Sequence, residues 1–195
     1  MLKIRLGNIT IKIDFSFFAT LAIIILLDKS GCAVLSLVAS VCHEAGHLLV
    51  LLIENNKPQS IIFSGGGFKI IRCKGKPSIA VLFAGSAMNF FLAFIFFLVS
   101  DLTSVFPILF SCANFFIGIF NLLPLKNLDG GQIVAHAAER MLRPKGVYIA
   151  VSAAQIAGVI AIIAVMLTAI CNNVFNLSFF IVLIYIFCLD ILVEL

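Results

Sequence analysis

Residues 32–53 read CAVLSLVASVCHEAGHLLVLLI, an apolar run with three ionisable side chains, His43, Glu44 and His47, near its middle. A helix that crosses the hydrocarbon core of a bilayer needs about 20 consecutive, mostly apolar residues, and this run is long enough. Ionisable groups at membrane depth are costly to bury and usually mark a functional site. This one stretch therefore predicts a transmembrane helix with a reactive centre inside it.

The composition of the whole chain agrees with a membrane location. Of the 195 residues, 63% are hydrophobic and only 11% are charged. Soluble domains carry about 25% charged residues, so this chain lacks the polar surface that a water-soluble globule needs. The composition excludes a soluble enzyme, a disordered tail and a nucleic-acid-binding protein. We expect the lipid bilayer as the surrounding solvent and no nucleic acid among the partners.

Five further apolar runs accompany the first one. In chain order the six runs are Phe15–Leu27, Cys32–Ile53, Ile79–Val99, Leu102–Leu123, Val147–Ile170 and Val174–Val193. Phe15–Leu27 is the weakest candidate for a full crossing, because as a straight helix it would span only about 20 Å. The pattern predicts an all-α polytopic membrane protein with about six transmembrane helices.

The positive charges predict the orientation of the chain, because cytoplasmic loops of membrane proteins attract Lys and Arg. With six crossings and a cytosolic N-terminus, all of the 13 Lys and Arg residues except Lys29 fall on the cytoplasmic side. We therefore expect a multi-pass protein of the cell membrane whose N-terminus and main loops, residues 54–78 and 124–146, are cytoplasmic.

Two segments on that side break the helical pattern. Residues 2–13 alternate around Gly7-Asn8, which is typical of a short hairpin. Residues 60–73 are apolar and β-branched around three successive glycines, which indicate a bend or a close backbone approach. Together they predict a small β element on the cytoplasmic side.

The three ionisable residues in the second run have the spacing of a metal site. His43 and His47 are four residues apart, so on a helix they project from one face and can bind the same ion. Glu44 lies beside that face, where a general base is needed to activate a water molecule. This is the H-E-x-x-H arrangement of zinc metalloproteases.

A catalytic zinc ion usually has three protein ligands and one open position, so a third ligand has to come from elsewhere in the chain. Asp129 is the first candidate, because it follows an irregular stretch after Pro124 that can line a wet cavity. By itself Asp129 can equally be the N-cap of a helix over residues 130–142. Glu139 is an alternative third ligand, or a surface partner for Arg143.

The paired motifs resemble those of a known family. His43-Glu44-Ala45-Gly46-His47, together with Asn121-x-x-Pro124-x-x-x-x-Asp129-Gly130, looks like the site-2 protease family of intramembrane zinc metalloproteases, and in particular its stage IV sporulation protein FB-like branch. The resemblance covers residues 32–142. The match implies that zinc binds to the two histidines and to Asp129, and that Glu44 activates water.

The resemblance also implies residues that contact the substrate. The family's Asn-Pro stretch, associated with holding the substrate as an extended strand, falls on Asn121 and Pro124. A third family element, Gly-Pro-x-x-Asn, reads Gly85-Ser86-Ala87-Met88-Asn89 here, so the proline is replaced while Asn89 stays available as a polar neighbour of the site. We expect one membrane-embedded metalloprotease domain over residues 1–195, without a regulatory or peptide-binding module.

These features predict an intramembrane zinc metalloendopeptidase that cleaves a membrane-anchored protein near the cytoplasmic face. By resemblance, the process is regulated intramembrane proteolysis in sporulation and the substrate a pro-sigma factor. Two alternatives stay open from the residues themselves. One is a metalloprotease with Glu139 as its third ligand. The other is a small transporter or metal-binding membrane protein that uses the histidine pair as an ion pathway.

Overall fold

The computed structural model describes residues 2–6, 9–28, 31–56, 58–64, 67–72, 76–100, 104–126 and 128–171. The crossing expected at residues 174–193 lies outside this set. In chain order the elements are β1 (Leu2–Leu6), β2 (Ile9–Ile13), α1 (Phe15–Leu27), α2 (Cys32–Ile53), β3 (Pro58–Ser64), β4 (Gly67–Arg72), α3 (Ile79–Leu98), α4 (Val105–Asn121), α5 (Asp129–Met141) and α6 (Pro144–Cys171).

The mostly helical membrane fold expected from the sequence is confirmed. Within the described residues, three helical segments are long and apolar enough to cross a bilayer, Cys32–Ile53, Ile79–Leu98 and Pro144–Ala164. Helix α4 is also apolar, but its 17 residues reach only about 25 Å at 1.5 Å per residue. Helix α1 has 13 residues and is shorter still. The described chain therefore supports fewer full crossings than the number of apolar runs implies.

The two segments with a β pattern form one four-stranded sheet in the order β1-β2-β3-β4, as expected. Strands β1 and β2 form the hairpin, with Leu6 opposite Ile9. Strands β2 and β3 pair in parallel, with Ile11 opposite Ile61. Parallel neighbours require a long crossover connection, and here α1 and α2 lie between them in the chain. Strand β4 then pairs antiparallel with β3.

The chain divides into two compact units, Met1–Phe120 and Asn121–Leu195. In the first unit, α2 and α3 are joined at one end by the side chain of Ser78. Its hydroxyl accepts a hydrogen bond from the Val81 amide (3.1 Å) and so caps α3. The same hydroxyl donates to Glu54 Oε1 (2.6 Å), at the residue that ends α2. This pair of bonds aligns the start of α3 with the end of α2.

Small residues let α2 and α3 approach closely along their length. A Cβ atom at Gly46 would lie only 2.5 Å from the backbone oxygen of Ala84. Small side chains are common where membrane helices pack, because they allow backbones to come together. Helix α4 contacts α3 through side chains, with the ring of Phe90 against Gly118 and Ser111 Oγ donating to the Ala93 carbonyl (2.6 Å).

In the second unit, an irregular stretch precedes α5. Its turn is closed by backbone bonds from the Leu125 amide to the Leu123 carbonyl (2.8 Å) and from the Leu128 amide to the Leu125 carbonyl (3.0 Å). Gly130 and Gly131, at the start of α5, pack on the carbonyls of Leu122 and Leu125. Larger side chains would push the helix start away from this stretch.

The side chain of Leu125 is the main apolar contact of that stretch, so its removal should weaken the second unit. Leu125 is 1% exposed and packs with Ile162 and Val159 of α6. We expect Leu125→Ala to lower the free energy of unfolding by about 2–5 kcal/mol, measured by denaturant titration in detergent. Leu167→Ala, a matched change at a residue that is 57% exposed, should change it by about 0.5 kcal/mol or less. Equal losses from both variants would contradict this packing.

Candidate metal centre

The two histidines of α2 lie together in the interior of the first unit, as their spacing predicts. His43 is 4% exposed and His47 is 9% exposed. Their Nε2 atoms are 3.1 Å apart, and the two rings are nearly perpendicular. Two nitrogen ligands bound to one tetrahedral zinc ion at about 2.0–2.1 Å are separated by about 3.3 Å. The pair therefore already has nearly the spacing that a shared metal ion requires.

The protonation of His47 is fixed by its contact with α3. Its Nδ1 atom lies 2.6 Å from the backbone carbonyl of Val81. A carbonyl can only accept a hydrogen bond, so Nδ1 carries the proton and, in the neutral ring, Nε2 presents a lone pair. Histidine ligands of metals almost always donate from the other ring nitrogen in this way, which orients the ring and raises its basicity. The Val81 carbonyl thus prepares His47 to bind a cation.

Glu44 completes the cluster on α2. One ligand atom from each of His43, Glu44 and His47 can be chosen such that all three lie within 4.8 Å of one another. The carboxylate is half-buried beside the histidine pair. This confirms the predicted placement of Glu44 next to the shared face of the two rings, where a carboxylate can exchange a proton with a water molecule at the site.

Gly85 of α3 keeps the position directly beside the two rings free of a side chain. A Cβ atom at this position would lie 2.5 Å from His47 Nε2 and 2.6 Å from His43 Nε2. Any side chain would thus occupy the volume next to both ligand atoms, which is where a shared ion has to lie. From the sequence, Gly85 was recognisable only as part of a motif, and this role was not predicted. A glycine in the middle of an apolar helix, four residues before a buried Asn, was the signal.

The remaining residues of that motif lie inside the first unit. Ser86 and Asn89 are both completely buried in α3. The motif was expected to place Asn89 close to the site, and Asn89 does follow Gly85 by one helical turn. The expectation that it contacts the substrate stays a prediction.

The other candidate site residues belong to the second unit. Asn121 ends α4, Pro124 lies in the irregular stretch, and Asp129 is the first residue of α5. Leu128 is the N-cap residue of α5 and Asp129 is its first helical residue, so the helix starts one residue earlier than in the alternative in which Asp129 is the cap. Glu139 lies near the exposed end of the same helix. The choice of Asp129 as third ligand stays a prediction.

Comparison with known proteins finds a family model and solved structures that match this chain. The model for peptidase family M50 matches residues 99–165, which contain Asn121, Pro124 and Asp129. Among solved structures, the site-2 protease from Methanocaldococcus jannaschii matches with a TM-score of 0.63 and 20% identity, over 95% of this chain and 91% of that chain. No curated protein sequence matches this chain. The structural match shows a shared fold, and the family match supports the protease assignment.

The space at Gly85 can be tested by filling it. We expect Gly85→Ala to weaken Zn²⁺ affinity by about 10- to 100-fold or more, the cost of disturbing the groups that position metal ligands. Affinity is measured by competition with a chromophoric chelator in detergent. Gly118→Ala is the matched control, because its added Cβ would lie 2.9 Å from the Phe90 ring rather than from a histidine. Equal affinities for Gly85→Ala and the unmodified chain would contradict this role.

Proposed function

We propose that this chain, a membrane metalloprotease of the site-2 protease family, is a zinc endopeptidase that cleaves a membrane-anchored protein near the cytoplasmic face. One observation is the main support for this proposal. Two buried imidazoles and a carboxylate lie together on a helix that is apolar and long enough to cross a bilayer, with a glycine opposite them.

The donor set fits a zinc ion. His43 and His47 would bind it through their Nε2 atoms, and we propose Asp129 as the third ligand. The support for Asp129 is its position in the Asn-x-x-Pro-x-x-x-x-Asp-Gly motif and inside the segment that the M50 family matches. Zinc supplies a Lewis acid that polarises the scissile carbonyl and lowers the pKa of water towards about 7.

Glu44 accepts a proton from water and later returns it to the leaving group in this mechanism. The attacking water forms a bond from its oxygen to the scissile carbonyl carbon and gives a proton to the Glu44 carboxylate. The peptide C–N bond then breaks, and Glu44 returns the proton to the leaving amine. The products are a carboxylic acid and an amine, between which the second proton of the water moves to give a carboxylate and an ammonium group, and Glu44 is restored to its ionised form.

The substrate has to present an extended backbone, since a transmembrane helix hides its peptide groups in internal hydrogen bonds. Strand β4 ends the sheet, and among the described strands it pairs only with β3. An unwound substrate segment can add to such an edge by backbone hydrogen bonds. We propose that β4 accepts the segment and that Asn121 and Pro124 help to hold it, as the family motif implies.

The cytoplasmic location of the cleavage is part of the proposal. Its support is the distribution of Lys and Arg, which favours a cytoplasmic N-terminus and cytoplasmic loops over residues 54–78 and 124–146. The resemblance to the stage IV sporulation protein FB-like branch makes an N-terminally anchored pro-sigma factor the first substrate to assay.

A substitution at Glu44 distinguishes a protease from a transporter that uses the histidine pair. We expect Glu44→Gln to lower the cleavage rate by about 10²–10⁴-fold, the usual contribution of a general base, while the zinc content stays unchanged. Cleavage is followed on a co-expressed pro-sigma factor and metal by elemental analysis of the purified protein. Glu54→Gln, which keeps an acceptor for Ser78 Oγ, should cleave normally. Unchanged cleavage by Glu44→Gln would refute the general-base role.

The third ligand is tested by a pair of substitutions on α5. We expect Asp129→Ala to weaken zinc affinity by at least about 10- to 100-fold, since losing a ligand costs no less than losing a group that supports one. Glu139→Ala should bind zinc as the unmodified chain does. The opposite result, with zinc kept by Asp129→Ala and lost by Glu139→Ala, would assign the third ligand to Glu139.

A further inference from the structure

A set of buried polar side chains in the first unit has hydrogen-bonding atoms without partners. Ser86 and Asn89 of α3 and Asn114 of α4 are each 0% exposed. Four of their atoms make no hydrogen bond, namely Ser86 Oγ, Asn89 Oδ1, Asn89 Nδ2 and Asn114 Oδ1. We call these three residues the orphan cluster. The mechanism above uses none of them.

Other polar groups at the same helix contact are satisfied. Ser111 Oγ donates to the Ala93 carbonyl at 2.6 Å. Asn114 Nδ2 donates to the Phe110 carbonyl of its own helix at 2.9 Å. The contact between α3 and α4 thus provides partners where backbone carbonyls are within reach, and the four orphan atoms are the exceptions.

Helical spacing places Asn89 between the part of α3 that faces the histidine pair and the part that contacts α4. Asn89 follows Gly85, where an added Cβ atom would lie within 2.6 Å of both Nε2 atoms, by one turn, and it precedes Ala93, which accepts from Ser111, by one turn. Residues four apart lie on the same face of a helix. Asn114 follows Ser111 by three residues and therefore shares its face on α4.

Leaving these atoms without partners inside a bilayer is strongly unfavourable, because lipid cannot replace the hydrogen bonds that water supplies. The absent partner must donate to the two amide oxygens and accept from Asn89 Nδ2. Water does both, and a buried water molecule typically makes about three hydrogen bonds to otherwise unsatisfied groups.

We propose that Ser86, Asn89 and Asn114 bind ordered water and form a hydration site beside the histidine pair. This inference rests on the proposed function, because each hydrolysed peptide bond consumes one water molecule at a place that lipid surrounds. The orphan cluster holds water within one helical turn of Gly85 and so keeps the reactant close to the metal centre between turnovers.

Hydroxyl-radical footprinting by X-ray radiolysis tests the site, because bound water is the source of the radicals that modify adjacent side chains. The protein is the full chain in lipid nanodiscs. Met88 and Phe90 are the reporters, and Phe94 and Phe97, which are exposed on α3 outside the cluster, are the lipid-facing references. We expect the two reporters to be modified faster than the references in the unmodified chain.

The variants then locate the water. In Asn89→Val/Asn114→Val, modification of the reporters should fall to the level of the references, and Ser86→Ala alone should cause a partial loss. Ser111→Ala is the matched control at the same helix contact, because it removes a hydroxyl that already has a partner, and it should leave modification unchanged. Equal modification of reporters and references in the unmodified chain, or no loss in Ser86→Ala and in the double variant, overturns the proposal.

The footprint can be recorded in the Glu44→Gln variant, where it does not depend on proteolysis. Failure of the hydration site and failure of the proposed function are therefore distinguishable.

Kinetics show whether water or substrate contacts the orphan cluster. For Asn89→Val we expect a lower kcat with unchanged KM and unchanged zinc content. A raised KM with unchanged modification of the reporters would assign the Asn89 amide to substrate binding and overturn the hydration site.

Discussion

The close packing of α2 against α3 is the constraint on which the site depends. Gly46 allows the backbones to approach, and the Val81 carbonyl then reaches His47 Nδ1 at 2.6 Å. That hydrogen bond fixes the tautomer and leaves Nε2 available, 3.1 Å from the Nε2 atom of His43. In hydrocarbon two imidazoles need such partners. For His47 the neighbouring helix supplies the partner with its backbone carbonyl, which a side-chain motif does not reveal.

The same packing explains why glycine and buried amides lie close together on α3. At Gly85 the missing side chain leaves room in front of both ligand atoms. One helical turn further, the side-chain amide of Asn89 is completely buried, although the helix is otherwise apolar. Reactive chemistry in a bilayer needs both a space for the ion and polar groups that keep water near it. Helix α3 provides both on one face.

Much of this structure could be predicted from the sequence, because it follows from local patterns. The bounds of α1 and α2, the hairpin of β1 and β2, and the convergence of His43 and His47 follow from apolar length, alternation and helical spacing. The role of Gly85 and the hydrogen bond from His47 Nδ1 to the Val81 carbonyl could not be predicted, because both depend on how two helices face each other. A helix starting at Asp129 was expected from the sequence, but the N-cap is Leu128, whose side chain makes no capping bond and therefore leaves no side-chain signal.

The central claim is that the Nε2 atoms of His43 and His47 bind one metal ion. X-ray absorption spectroscopy of the purified chain loaded with one equivalent of Zn²⁺ tests it most directly, because it reports the ligand atoms themselves. We expect a zinc shell with imidazole scattering and zinc–nitrogen distances of about 2.0–2.1 Å, and loss of imidazole scattering in His43→Ala/His47→Ala. A shell with sulfur ligands at about 2.3 Å, or one unchanged in that variant, would contradict it.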